Sequence, residues 1–281
     1  MIQAKRGIAA AILTGLVLLS TATDVVAWGP KGHRLVALVA RELLTADARS
    51  EIVVIMGSDD LPTFANYLDV HKDRLDQQIP GSRDWHYDDV PVCGTAPHSE
   101  YCPEGKCAST QIPRYRRILS DAHETKARKQ FAVYVISHLV GDIHQPLHAA
   151  DNDDRGGNEV KVKLPSGKNA KLHGAWDTDL VEQLYGGKNE RTVAKTLVER
   201  FAAKKTDWQK GTVSAWIAES HELAETMTYG KLPGFACGVN NEQTRIQLPQ
   251  AYGDAATTMI EEQIAKAGYR LAWILNRALG D

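Results

Sequence analysis

Two pairs of residues in this chain stand at a spacing that can grip a divalent cation. His138 and Asp142 lie four apart in SHLVGDIHQPLHA, and His173 and Asp177 lie four apart in LHGAWD. Residues so spaced share one face of a helix, so each pair would offer a nitrogen and an oxygen in the same direction. That is half of a zinc shell, twice, because zinc takes about three or four ligands from His, Cys, Asp or Glu. A single such pair is more often a helix-surface hydrogen bond than a ligand set. The second pair changes the balance, as do His148 after the helix-disturbing Pro146, His33 in WGPKGH and His86 in WHY.

The start of the chain adds a further ligand candidate. Residues 1–27 read as an export signal: Lys5 and Arg6 are followed by an almost wholly apolar run from Gly7 to Ser20 and a small-residue cleavage site at Val25-Val26-Ala27. The run is shorter than the roughly 20 residues that span a bilayer. Residues 28–281 would then be the mature domain, beginning at Trp28 with a free α-amine. A metal can displace the proton of such an amine, so the amine and carbonyl of Trp28 could chelate a cation together with His33.

With these residues in place, the chain resembles the S1/P1 zinc-dependent nucleases. That family begins at a metal-ligating Trp followed by Gly-x-x-Gly-His, matched here by Trp28 to His33. Further marks follow in order: Asp69 in ANYLD, His86 in WHY, HxxxDxHQPLH from His138 to His148, GGN from Gly156 to Asn158, and LHxxWD from Leu172 to Asp177. The resemblance implies three Zn2+ ions. Asp69, His86, His138 and Asp142 would hold the first, and His148, His173 and Asp177 the second. Trp28, His33 and a shared Asp142 would hold the third. It also implies an endonuclease acting on RNA and single-stranded DNA, leaving 5′-phosphates, with 3′-nucleotidase activity and a secreted or periplasmic, monomeric product.

Substrate contacts carry over in the same way. Tyr87 stands where the family commonly has Phe for base stacking, and Asp89 where the base edge is read. Asn158 is a further base contact, and Lys72 matches a basic position that touches the phosphate, next to Asp69 as the group that orients the attacking water. The local sequence departs from the usual pattern at Asn66-Tyr67-Leu68, where Ser-Trp-Ala is common, and at Lys171, where Asn is common. His144 matches no ligand position and reads as a packing or supporting histidine. His71, His98, His123 and His221 read as surface or structural residues.

Composition bounds the partners. The formal charge is −2, and removing residues 1–27 takes away Lys5, Arg6 and Asp24 to leave −3. Such a chain is no basic coat for long duplexes, whose sequence-independent binding rests on Lys and Arg. Three divalent ions against three carboxylates would instead leave a local positive excess able to attract one phosphodiester. The four cysteines, in an exported chain, read as two disulfides rather than a zinc site, with three pairings open. The resemblance implies Cys102 with Cys107 and Cys93 with Cys237.

The positioning elements read as mainly helical. Apolar residues recur at helical spacing over Arg34 to Leu44, Ile112 to Ala122, Phe131 to Ile143, Val193 to Ala203, Val213 to Met227 and Ala255 to Leu279. Trp273 reads as core. Only Val160 to Leu164 alternates as a strand, and Pro165-Ser166-Gly167 turns into a short return strand ending near Leu172, which gives one small β-hairpin. No repeat, linker or second composition separates the rest, so a single helical domain of the phospholipase C/P1 nuclease type is expected. A zinc phospholipase C would share this architecture but space its first His further from the Trp and close its cluster with Glu. An exported zinc-binding protein would explain the ligands but not Tyr87, Asp89 and Lys72.

Overall fold

The computed structural model describes residues 28–237, 239 and 244–280. The export signal expected at residues 1–27 lies outside them. Seven longer helices make the body: α1 (Pro30–Leu43), α2 (Ala46–Met56), α3 (Ala108–Ser120), α4 (Lys126–Asp142), α5 (Glu190–Arg200), α6 (Val213–Leu223) and α7 (Gln250–Leu279). Their starts carry local signals. The side chains of Thr45, Thr125, Asn189 and Thr212 each accept a backbone N–H from the first turn of α2, α4, α5 and α6.

Helix α1 begins four residues earlier than its apolar periodicity suggests. Pro30 occupies the first turn, where a missing N–H costs nothing and the fixed φ suits a helix. His33 is therefore a helical residue, carried on a rigid element. Helix α7, in turn, starts at Gln250 directly after Pro249 rather than at Ala255. The expected helix from Val213 to Met227 is α6 only to Leu223, after which Ala224–Thr228 widens into a π-turn.

Helices α1, α4 and α7 form the centre. Gly268 of α7 allows a close crossing with α1, since a Cβ there would lie 2.4 Å from Val39 Cγ1 and 3.0 Å from the Val36 carbonyl oxygen. The last two turns of α4 are buried on every side, from Val135 to Asp142. Apolar residues on all faces mark a helix enclosed by others, and here that enclosure surrounds His138 and Asp142. Trp273 is half-buried, packed on Trp216 at 5.8 Å with the Arg277 guanidinium over its ring.

The hairpin is present as β1 (Lys161–Lys163) and β2 (Asn169–Lys171), paired Val162 to Ala170. A third strand, β3 (Ile246–Gln247), lies parallel to β1 and extends the expected hairpin to a three-stranded sheet ordered β2-β1-β3. Two residues leave no alternation to read in sequence. Cys93 is bonded to Cys237 and Cys102 to Cys107. Among the described residues no helix is long and apolar enough to cross a membrane.

Candidate metal centre and active site

Six stretches of chain converge on one buried centre. Helix α1 brings His33, the short helix Tyr67–Val70 brings Asp69, and the 3-10 turn Ser82–His86 brings His86. Helix α4 brings His138 and Asp142 on one face, and the 3-10 turn Pro146–His148 brings His148. His173 and Asp177 sit where a helical turn at Leu172–Gly174 runs into a π-turn at Ala175–Asp179.

The donor atoms crowd together. His86 Nδ1 lies 3.0 Å from both Asp142 Oδ2 and His138 Nε2, and 3.9 Å from Asp69 Oδ1. His138 Nε2 lies 3.3 Å from Asp142 Oδ2 and 3.5 Å from Asp69 Oδ1. In a second group, His173 Nε2 is 3.0 Å from His148 Nε2 and 3.2 Å from Asp177 Oδ2. The other oxygen of Asp142 faces His33, with Oδ1 3.2 Å from Nε2, while the His33 and His138 rings stack at 4.0 Å. Trp28 is fully buried beside this third group, against Gly32 and Gly141.

These distances test the fit of zinc. Tetrahedral bonds of about 2.0–2.1 Å place donors roughly 3.3 Å apart, and the observed separations bracket that spacing. A second sign is that His33 Nε2, Asp69 Oδ2 and Asp142 Oδ1 are among the buried atoms without hydrogen-bond partners. Buried polar atoms are normally satisfied, so unpartnered donors in this centre fit a cation as the missing partner. A fourth group, Asp88, His98, Cys102 and Cys107, is also close-set. Its two sulfurs are consumed by their disulfide, which removes the thiolates a metal would need.

Backbone carbonyls aim the imidazoles. His138 Nδ1 donates to Ala65 O at 2.6 Å, His148 Nδ1 to His86 O at 2.8 Å and His173 Nδ1 to Gly156 O at 2.6 Å. Each bond places the ring proton on Nδ1 and turns a bare Nε2 inward, as metal-binding histidines require. The last depends on Gly156, whose φ is 59° and whose absent Cβ would lie 2.6 Å from Leu147 O and 3.3 Å from His173 Nδ1. The GGN motif thus serves His173 as well as Asn158.

Burial dominates the electrostatics. It pushes His138 down to about 4 and lowers His33 and His148 well below the usual imidazole range, so all three are neutral at pH 7. It also pushes Asp69 up to about 6 and raises Asp142 and Asp177. His173 is the exception: burial pulls it down, but Asp177, the Gly156 carbonyl and Asp89 together outweigh that and raise it. A centre that penalises its own carboxylate charges is one that a cation stabilises.

Tyr87 is half-buried and donates its hydroxyl to Asp84 Oδ1 at 2.9 Å. Asp89 is held up to about 7, first by burial and then by Asp151. Asn158 is buried and donates Nδ2 to Arg155 O at 2.7 Å. Lys72 opens the helix Lys72–Gln78, close enough for its charge to act on Asp69 and His86. His144 points elsewhere: its Nδ1 donates to Val140 O, and its Nε2 accepts from Arg270, which pairs with Glu219. His71 packs on Tyr67, His98 meets Ser109 Oγ, His123 is exposed, and His221 Nδ1 donates to Ala149 O.

Sequence reasoning missed two supporting residues. Gln145 is fully buried, donates Nε2 to Asp177 Oδ1 at 2.6 Å and accepts Leu147 N–H at 2.7 Å. Gly141 leaves room for a ligand, since a Cβ there would lie 2.9 Å from His33 Nδ1. Gln145 was visible inside HQPLH, but nothing in the sequence pairs it with Asp177.

A helical domain that gathers imidazoles and carboxylates into adjoining groups able to hold metal has the make-up of a metal-dependent hydrolase. The chain belongs to the S1/P1 nuclease family, whose model, S1/P1 Nuclease, matches residues 28–280. It is similar to Nuclease PA3 of Penicillium sp, 31% identical over 88% of this chain and 96% of that protein. It is also similar to Nuclease P1 of Penicillium citrinum, 30% identical over 88% and 96%. Endonuclease 2 of Arabidopsis thaliana is 27% identical over 94% of each chain. The protein is a nuclease of a zinc-dependent family, a hydrolase of phosphodiester bonds.

Proposed function

We propose that this chain is an exported, monomeric endonuclease holding three Zn2+ ions, which cleaves RNA and single-stranded DNA to 5′-phosphate products and removes phosphate from nucleoside 3′-monophosphates. The observation that carries the reading is the convergence of eight side chains, with separations of 3.0–3.9 Å between neighbouring donors. Asp69, His86, His138 and Asp142 hold one ion, and His148, His173 and Asp177 the second. Trp28, His33 and Asp142 Oδ1 hold the third. When bound, the ions supply Lewis acidity to water and phosphate and charge for the departing oxygen.

The chain's own groups do the rest. Asp69 keeps one oxygen toward His86 and His138 and leaves Oδ2 without a partner, which supports a role in orienting the attacking water and accepting its proton. Lys72 balances the charge on the phosphate as it forms the transition state. Tyr87 stacks on the base, and Asp89 with Asn158 reads its edge. Asp89, with a carboxyl held near 7, can present either a proton or an acceptor there. Stacking needs an unpaired base, which favours single strands. Residues 1–27 act as the export signal, delivering residues 28–281 to the periplasm or medium.

The test combines metal counting on protein processed to Trp28 with turnover of RNA, denatured DNA, a nucleoside 3′-monophosphate and phosphatidylcholine. Three zinc ions per chain and turnover of the first three substrates are expected. Lipid turnover alone would make the chain a phospholipase C, and variable zinc without turnover would make it a storage protein. One extra residue ahead of Trp28 should lower zinc content and rate together; full zinc and an unchanged rate would remove the amine from the ligand set.

A further inference from the structure

We propose that Arg155 is a specificity residue that receives the phosphate of a neighbouring nucleotide, and so distinguishes a polynucleotide from a single nucleotide. The inference rests on the base site assigned above to Tyr87, Asp89 and Asn158. That site is hostile to a polyanion: Asp89 is crowded by Asp151, Asp88 and Asp84, and Asp153 is exposed nearby on the same loop as Asp151. A base can enter such a pocket, but the phosphodiester attached to it meets carboxylates.

Arg155 is the cation that answers this field. The loop that carries Arg155 is bonded to the segment that follows Tyr87 and Asp89, with Asp151 N–H donating to Val90 O at 2.9 Å and Val92 N–H to Asp151 O at 2.8 Å. Arg155 therefore stands on the loop beside the proposed base site. The residue is exposed, and among the described residues it makes no ion pair, whereas Arg34, Arg41 and Arg270 are each tied to a carboxylate. Its backbone is fixed to the same site, because Arg155 O accepts both Asn158 Nδ2 at 2.7 Å and Asn158 N at 3.3 Å. The backbone is also unusual: φ is 57°, a region that Gly or Asn occupies more readily than Arg. Local preference does not explain a long cationic side chain there, whereas recognition of a phosphate by a planar guanidinium does.

Three exposed variants, Arg155→Ala, Arg155→Lys and Arg155→Gly, separate the roles of charge and backbone. Each is compared with the unaltered enzyme on a single-stranded tetranucleotide and on a nucleoside 3′-monophosphate. For Arg155→Ala, KM on the tetranucleotide should rise about tenfold, the loss of one charge-assisted contact, with kcat within about twofold. The dependence of log KM on log salt should flatten by about 0.7, one phosphate contact on a single strand. Turnover of the mononucleotide should be unchanged, since it carries no second phosphate. Lysine should restore part of the affinity, and glycine should lose affinity while holding or raising the melting temperature.

Fluorescence anisotropy with a hydrolysis-resistant phosphorodithioate tetranucleotide gives a readout independent of turnover, and its Kd should rise by the same factor. An unchanged Kd and salt slope in Arg155→Ala, with the unaltered enzyme binding normally, would overturn this inference alone. Equal losses of kcat on both substrates would also overturn it, by making Arg155 part of the common machinery. An unaltered enzyme that neither binds nor cleaves the strand would instead bring down the substrate reading beneath it.

Discussion

At the scale of single residues, the centre depends on groups that touch no ion. Gln145 fixes one oxygen of Asp177 while its own carbonyl oxygen caps Leu147 N–H, so it ties the second ligand group to the turn carrying His148. Replacing it with leucine leaves a buried carboxylate without its donor, a loss of about 1–3 kcal/mol. Zinc measured by mass spectrometry should fall by about one ion per chain and activity by about tenfold or more, as for other partners of metal ligands. Retained zinc at an unchanged rate would reduce Gln145 to packing. Gly141→Ala sets helix propensity against the site. Alanine is favoured in a helix by about 1 kcal/mol, but its Cβ would sit 2.9 Å from a His33 ring already stacked on His138. The clash wins: His33 must shift, and both zinc content and melting temperature should drop, whereas a rise in melting temperature with full zinc would show a tolerant pocket. Ligand candidates were legible because His and Asp at fixed spacings are rare and chemically particular. Gln145 and Gly141 were not, because amide and glycine roles are set by what lies across the fold.

At the scale of elements, α6 and the segment after it hold the ligand-bearing loops. Ser220 Oγ donates to Ile143 O at 2.5 Å and His221 Nδ1 to Ala149 O at 3.0 Å, pinning both ends of the turn from Asp142 to His148. Just beyond, the Tyr229 hydroxyl donates to Asp154 Oδ1 at 2.7 Å, and Gly157 N–H donates to the same oxygen at 2.6 Å. This fastens the loop whose Gly156 orients His173. The periodicity of Val213 to Met227 foretold a helix here; its widening to a π-turn at Ala224–Thr228 was not legible, since a single extra backbone residue leaves the apolar pattern almost unchanged. Tyr229→Phe should therefore cost stability in a pH-dependent way. Burial raises Asp154 while the Tyr229 and Gly157 bonds oppose it, so the hydroxyl favours the charged carboxylate. Its stabilisation is present above the titration of Asp154 and lost as pH falls through it. The expected loss is about 1–3 kcal/mol at pH 8 and little at pH 4, read from urea midpoints at the two values. Equal losses at both would mean that the hydroxyl does not sense the carboxylate charge.

Over the whole molecule, the centre is also the place where the chain is stitched together, because its candidate donors come from residues between His33 and Asp177 on separate elements. Helix α7 packs across α1 from the other end of the sequence, and the Cys93–Cys237 disulfide joins residues 144 apart. A helical single domain was legible from periodicity, but this closure was not, since no local pattern records which distant helices meet. Without cations the fold must bury imidazoles beside one another and carboxylates that burial already pushes up, Asp69 to about 6. Metal binding is then part of folding, and each ion at 100 times its Kd contributes about 2.7 kcal/mol. For a domain of this size 1 kcal/mol moves the melting temperature by about 2–4 °C. The three proposed ions should accordingly be worth well over 10 °C, roughly summed from those two values. Calorimetry of oxidised protein against buffered free zinc should show the midpoint climbing with the logarithm of zinc concentration until the sites fill, and collapsing on chelation while both disulfides remain. A midpoint indifferent to zinc would mean that helix packing and the disulfides alone hold the donors in place, leaving the cations to chemistry rather than to folding.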